Sequence, residues 1–174
     1  IPAPDVGTNG DIMAIMMRQY TDGEREKHTL RGGITGKDGR IGGSEGRRRA
    51  TGQGLAYTVE EWARERSFTL KDARMVVQGF GNVGSAAAEI LAAMGCKLVA
   101  VNDADGTIYN ENGIDVPALI DHVSAKTNLK RTVAGFSGAT AMPKGDFWEV
   151  DADICIPAAL GGEIDGNIAE KLKC

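Results

Sequence analysis

The chain has 174 residues, enough for a domain with a proper core, and 42% hydrophobic against 25% charged residues is ordinary for a soluble globular protein. A net charge of −4 argues against general nucleic-acid binding, which wants a basic face. No apolar run approaches the length of a membrane span, so no membrane partner is expected. Cys96, Cys155 and Cys174 form no C-x-x-C, and the only histidines are His28 and His122. Neither a structural zinc nor a disulfide scaffold is therefore expected, metal ligands are absent from the reading, and a reducing, cytoplasmic setting fits.

Ile1-Pro-Ala-Pro-Asp-Val-Gly-Thr8 reads as a rigid loop, because two prolines fix the backbone before Gly7 frees it. Ile1-Pro-Ala-Pro4 is neither basic nor followed by a long apolar segment, so no signal peptide is expected. Thr8 or Asn9 can cap a helix from about Gly10 to Tyr20, where Ile12, Ile15, Met16 and Met17 recur at helical spacing, the methionines as core filler. Asp5 admits two readings: a turn-stabilising loop carboxylate, which local sequence favours, or an acid/base held in place by Pro4 and Gly7. Asp22 to His28 reads as a charged, solvated connector.

Residues 31–43 are very rich in glycine. Gly36-Lys37 faintly suggests a phosphate loop, but Arg31 stands where the first glycine is needed and Asp38 where Ser or Thr is needed. Lys37 is therefore expected to be solvated. Ser44 to Arg66 reads as one long helix with Ser44 as N-cap and Leu55, Val59, Trp62 and Ala63 as its buried stripe. Its first turns carry three arginines and three glycines. Each interior glycine costs about 1 kcal/mol against alanine, so something is expected to approach this helix closely. Arginines near a helix N-terminus oppose the dipole, which points either to an anionic ligand or to a solvated basic face, the reading preferred for Arg48 and Arg49.

The stretch on which the rest is organised is Arg74-Met-Val-Val-Gln-Gly-Phe-Gly-Asn-Val-Gly84. A short apolar run, Met75 to Val77, leads into G-x-G-x-x-G at Gly79, Gly81 and Gly84. A helix former from Ser85 to Met94 follows, stopped by Gly95. Strand, glycine turn and helix together make a dinucleotide site: the first glycine for the tight turn, the second for approach of a pyrophosphate, the third for helix–strand packing. A second strand, Lys97 to Val101, ends at Asn102-Asp103. Asp103 follows Gly84 by 19 residues, close to the spacing of about 20 for the acidic residue that holds ribose hydroxyls. Asp103-Ala-Asp-Gly106 fails as a calcium loop, since the glycine comes too early and no glutamate closes it. Asn112-Gly113 is a turn, Asp115 caps a helix through Val123, Thr132 to Phe136 is a strand candidate, and Asp146 to Glu149 a helical turn. Asp151 to Ile156 reads as another strand. Pro157-Ala-Ala-Leu-Gly-Gly162 stands at its C-terminal end, where open α/β sheets bind ligands, and reads either as part of such a site or as a plain strand–helix turn. Glu163 to Lys173 has a helical pattern. The fold class expected is α/β, a Rossmann-like doubly wound, mostly parallel sheet with flanking helices.

Four segments, Pro2–Thr8, Gly42-Gly-Ser-Glu-Gly-Arg-Arg-Arg-Ala-Thr-Gly52, Val77–Gly84 and Ile156-Pro-Ala-Ala-Leu160, together resemble the glutamate dehydrogenase family, in the family's order and over nearly the whole chain. The resemblance implies that Asp5 is the catalytic aspartate shuttling protons at the substrate nitrogen and the attacking water. It implies that Arg47 lines the cleft near the substrate and that Thr51 contacts the nicotinamide carboxamide. Gln78, Gly79, Phe80, Gly81, Asn82 and Val83 would contact the pyrophosphate, Asp103 the adenosine ribose, and Ala158 and Ala159 would flank the cofactor. The implied reaction is reversible oxidative deamination of L-glutamate to 2-oxoglutarate and ammonia with NAD, NADP being the alternative, in a parent enzyme that is a homo-hexamer. Leucine, phenylalanine or valine dehydrogenases share the cofactor domain, and a non-catalytic nucleotide-binding module is a third reading. The family's substrate-domain Lys-Gly-Gly segment and its Gly-Ala-Asn stretch do not occur in this sequence, and Asp38 stands where the family usually has proline. Residues 1–174 are accordingly expected to be a single, incomplete NAD(P)-binding domain, truncated at both ends, with residues 1–20 leading in from the active-site cleft and the substrate domain absent; alone it is expected to be inactive.

Overall fold

The computed structural model describes residues 1–5, 7–22 and 29–174. Of the connector expected over Asp22–His28, all but Asp22 lies outside the described residues. The chain gathers into two compact units, Ile1–Ala50 and Thr51–Cys174.

In the first unit, α1 (Gly10–Thr21) is capped by Asn9, whose side-chain oxygen accepts from the amides of Asp11 and Ile12 at 3.0 Å. That satisfies two of the four donors a helix start leaves without partners. The buried face differs from the expected stripe. Met13 and Met17, one turn apart, pack with Ile34 as a small core, whereas Ile15 is 69% exposed and Ile12 and Met16 stand at the surface. Helical periodicity admits several faces, and the position of Ile34 selects this one. Short 3₁₀ turns at Thr29–Gly33 and Gly39–Ile41 complete the unit. Lys37, expected to be solvated, is buried, and its ammonium donates to the Ile34 carbonyl at 2.7 Å.

The chain passes from one unit to the other within α2 (Arg47–Glu65). The helix starts three residues after the expected Ser44 cap because Gly46 has φ +76°, a left-handed conformation that no α-helix interior holds. Gly52, Ala56 and Ala63 are its buried residues, Leu55 and Val59 are half-buried, and Trp62 turns outward, with its ring centroid 5.2 Å from that of Phe68. The close approach expected at a glycine is met at Gly52: a Cβ there would lie 2.6 Å from Ala86 Cβ and 2.8 Å from the Ala87 amide nitrogen. Only glycine lets α2 lie this close to the helix beneath it.

Among the described residues the second unit holds one five-stranded sheet in the order β4-β3-β2-β1-β5. β1 (Arg74–Gln78) lies between β2 (Lys97–Asn102) and β5 (Ile154–Pro157) and is parallel to both; β3 (Thr107–Tyr109) and β4 (Thr140–Ala141) add an antiparallel edge. Met75 to Gln78 are buried, as are Leu98 to Asn102, the near-continuous pattern of strands covered on both faces. The helix α3 (Asn82–Ala93) and α4 (Val116–Ser124, capped by Asp115) flank the sheet, and α5 (Gly166–Lys171, capped by Asp165) is shorter than the helical pattern from Glu163 to Lys173. The main core joins Met75, Val77, Leu91, Leu98, Val101, Ile108, Leu119 and Val133; a second cluster around Val76, Val99, Phe147 and Trp148 covers the opposite face. This is the expected Rossmann-like α/β class. The strand candidate Thr132–Phe136 is instead an irregular loop. Its polar groups are engaged elsewhere: Asn128 Nδ2 donates to the Thr132 carbonyl at 2.7 Å, and the Val133 amide donates to the Asp103 carboxylate.

Candidate functional site

Strand register brings three strand ends together. Gln78 is level with Asn102 on one side and with Pro157 on the other, so β2, β1 and β5 all finish at the same sheet edge. The connection from β1 to β2 runs to one side of β1 and β5 lies on the other. Their junction is therefore the topological switch point, where an open α/β sheet forms its ligand crevice.

The three glycines of the turn serve three separate needs. Gly79 has φ +83°, and a Cβ on it would stand 2.6 Å from the Ala158 carbonyl oxygen. Gly84 sits against the turn itself, where a Cβ would meet the Gly79 carbonyl oxygen at 1.9 Å. Nothing lies within 4 Å of the Cβ position of Gly81. Gly81 is also the N-cap of α3 and supplies no side-chain cap, so the first amides of a twelve-residue helix are left without a side-chain acceptor. Absence of a side chain is thus required by the protein's own packing at Gly79 and Gly84, but at Gly81 it leaves space for something else. The turn is stitched to its neighbours: the Gly79 amide donates to the Asn102 carbonyl at 2.6 Å, and the Ala158 amide to the Gln78 carbonyl at 2.7 Å.

Of the residues expected here, Gly81, Asn82 and Ala159 are exposed at this edge, and Val83 and Ala158 are half-buried. Phe80 is buried in the main core, and Gln78 is 2% exposed with its amide nitrogen donating to Glu163 at 3.3 Å. The Phe80 side chain is thus committed to the core and the Gln78 side chain to Glu163.

Asp103 stands immediately beyond β2, where a ribose-holding carboxylate belongs, but the chain itself engages it. Its Oδ1 accepts from the Asp105 and Gly106 amides, each at 2.9 Å, and from the Thr132 hydroxyl at 3.0 Å; its Oδ2 accepts from the Val133 amide at 2.7 Å. The first pair makes an Asx turn. The Asp-x-x-Gly spacing signals such a turn, whereas Thr132 and Val133, 29 and 30 residues away, carry no local signal. Beside it Lys130 pairs with Asp105 at 2.8 Å.

Thr51 is exposed in the first turns of α2. Asp5 and Arg47 belong to the other unit. Arg47 is half-buried at the start of α2, and Asp5 is exposed at the head of a closed turn: its amide donates to Thr8 Oγ1 at 2.7 Å, and its carbonyl accepts from the Thr8 amide and hydroxyl, each at 2.9 Å. Among the described residues no cluster of three or more His, Cys, Asp and Glu side chains could hold a metal ion, and no helix is long and apolar enough to cross a membrane.

Fold and site define a Rossmann-like α/β unit with a glycine turn at its switch point. The glutamate/leucine/phenylalanine/valine dehydrogenase family model matches residues 42–174, and the chain belongs to that family. It is 40% identical over 177 aligned residues to the NAD-specific glutamate dehydrogenase of Peptoniphilus asaccharolyticus, covering 99% of this chain and 41% of that protein. To the NAD-specific glutamate dehydrogenase of Staphylococcus aureus (strain COL) it is 39% identical, covering 99% and 40%. The hetero-hexameric glutamate dehydrogenase of Thermus thermophilus, solved in a Leu-bound form, superposes with a TM-score of 0.86 at 31% identity, over 99% of this chain and 39% of that one. The chain thus spans about two-fifths of the length of these relatives.

Proposed function

We propose that these residues supply the NAD-binding part of an amino-acid dehydrogenase that oxidatively deaminates L-glutamate. The observation that carries the reading is Gly81: a Cβ-free position facing open space, over helix amides with no side-chain cap, at the switch point of the sheet. That arrangement suits a pyrophosphate, which takes hydrogen bonds from backbone N–H groups and is favoured by the positive end of the helix dipole. The relatives' shared designation as NAD-specific glutamate dehydrogenases supports the choice of cofactor and substrate, and NADP is the competing cofactor.

In this reading the Gln78–Val83 turn holds the pyrophosphate through the backbone of Phe80 to Val83, while Gln78 and Gly79 shape the turn through their bonds to Ala158 and Asn102. Asp103 presents the one acceptor site left on Oδ2 to a ribose hydroxyl, Ala158 and Ala159 leave room beside the cofactor, and Thr51 meets the carboxamide. Bound nicotinamide supplies the acceptor for the two electrons leaving the substrate α-carbon. Arg47 faces the substrate. Asp5 takes a proton from the amino group and releases it to solvent, then takes one from the water that adds to the substrate imine and returns that proton to the departing nitrogen, work that needs a carboxylate in hydrogen-bond reach of nitrogen and water. Side-chain selection rests with residues outside this sequence, as does assembly, for which a homo-hexamer is proposed.

Turnover of glutamate and leucine by the full-length protein, with NAD and with NADP, tests the proposal. Faster turnover of glutamate than of leucine with NAD is the expected result. A preference for leucine would move the protein to the branched-chain members of the family, and cofactor binding with no turnover of any amino acid would leave only a nucleotide-binding module.

A further inference from the structure

Four consecutive residues of the glycine-rich loop, Ile34 to Lys37, hold the Asp5 turn from both sides. On the side before Asp5, the Thr35 amide donates to the Pro2 carbonyl at 3.0 Å, and the Pro4 ring lies against Gly36 so closely that a Cβ on Gly36 would stand 2.1 Å from Pro4 Cδ. On the side after it, Asn9 caps α1 and α1 packs through Met13 and Met17 on Ile34, while Gly36 O lies 3.4 Å from the Cβ position of Gly10. Lys37 closes the loop from within: it is 7% exposed, and its ammonium donates to Ile34 O at 2.7 Å. Behind it Gly43 fits against the Lys37 carbonyl oxygen, 1.8 Å from where a Cβ would be. Gly36 has φ +72°, so it is required twice, for conformation and for room.

Through this bond the Lys37 side chain ties the loop to itself from inside rather than reaching into solvent. A loop of this kind matters where a neighbouring group must be held within a fraction of an ångström. We propose that Gly36 and Lys37 are positioning residues for Asp5, affecting turnover only through the placement of that carboxylate. The inference rests on the reading of Asp5 as the proton-transferring group.

The test is a mutant cycle in the full-length enzyme with Asp5→Asn, Gly36→Ala, Lys37→Met and the two doubles with Asp5→Asn, measuring kcat, the glutamate KM and NAD affinity. Misplacement by about 1 Å costs on the order of 100-fold, so Gly36→Ala should lower kcat at least about 10-fold, with KM and NAD affinity within about 2-fold of wild type. Lys37→Met should lower kcat in the same way by about 5-fold or more. On the Asp5→Asn background neither change should lower kcat further by more than about 2-fold, because residues that act as a unit are not additive. Full multiplicative losses on that background, or wild-type kcat in both single variants, overturn the positioning role while leaving Asp5 catalytic. Wild-type turnover by Asp5→Asn overturns the reading of Asp5 and the inference with it. If Gly36→Ala does not fold, the Lys37→Met arm decides alone, as it adds no atom against Pro4.

Discussion

Replacing Asp103 with alanine removes a single acceptor group shared by four donors: the amides of Asp105, Gly106 and Val133 and the hydroxyl of Thr132. A hydrogen bond to a charged group contributes about 1.5–3 kcal/mol. The four cannot simply be added, because one charge serves them all and water reaches a half-buried site once the carboxylate is gone. A net loss of about 2–4 kcal/mol follows, or a fall in Tm of about 5–12 °C for a chain of this size. Asp103→Asn should not be benign either. With its oxygen at Oδ1 it opposes an NH₂ to the Val133 amide, now 2.7 Å away, and flipping the amide sets the NH₂ against three donors instead. At least half of the alanine variant's loss is expected. By contrast NAD affinity should fall no more than about 5-fold in Asp103→Ala, the equivalent of one ordinary hydrogen bond from the remaining Oδ2 acceptor site. Thermal and urea unfolding, with titrations of NAD and NADP, measure both. A Tm within about 1 °C of wild type together with a tenfold or greater loss of NAD affinity would refute the reasoning and return Asp103 to ribose recognition as its main role.

The glycine turn yields a paired prediction. Gly81→Ala places its methyl in open space at φ −84°, so stability should stay within about 0.5 kcal/mol while NAD affinity, read by titration calorimetry, falls about tenfold or more; unchanged affinity would remove the pyrophosphate from this turn. Gly84→Ala drives its methyl to 1.9 Å from Gly79 O and should destabilise by about 3 kcal/mol by urea unfolding. Alkaline stability should depend on Cys155, whose thiol is pushed up from 9.0 to about 12 by burial and then by the neighbouring Cys174 thiol. Its folded pKa being the higher, the folded chain keeps a proton that the unfolded chain releases. The contribution is therefore whole below about pH 9 and is lost as pH rises towards 12. Cys155→Ser should flatten the fall in urea midpoint across that window, and an unaltered slope would exclude this thiol as its source.

Local rules sufficed for β1, the glycine turn, α3 and β2, because a buried apolar run, positive-φ glycines and a good helix former agree there. Asn9, Asp115 and Asp165 cap helices where short polar residues precede apolar periodicity. What escaped was decided at long range. The edge strands β3 and β4 have three and two residues, too short for an alternating pattern to emerge. Thr132 and Val133 look like a strand but are recruited by Asp103, so β propensity yields to a carboxylate far away in sequence. Trp62 fits the helical period yet turns outward: the buried positions of α2 are the small residues Gly52, Ala56 and Ala63, and at Gly52 the contact with Ala86 leaves no room for a side chain. Residue type alone predicts a solvated Lys37; its burial comes from the loop around it, where Ile34 O accepts its ammonium and Gly43 packs on its carbonyl oxygen.

The amides of Gly79 and Ala158 donate across adjacent strand ends, from β1 to β2 and from β5 to β1. The rim of the sheet is therefore one hydrogen-bonded chain, Asn102 to Gly79 and Gln78 to Ala158, and none of its three exits can shift without breaking a bond to the next. A ligand arriving at this edge meets backbone that is already ordered, so little conformational entropy is lost on association. The same two amides should open to solvent only with the sheet itself, and native-state hydrogen exchange would find them among the slowest in the unit, with or without ligand.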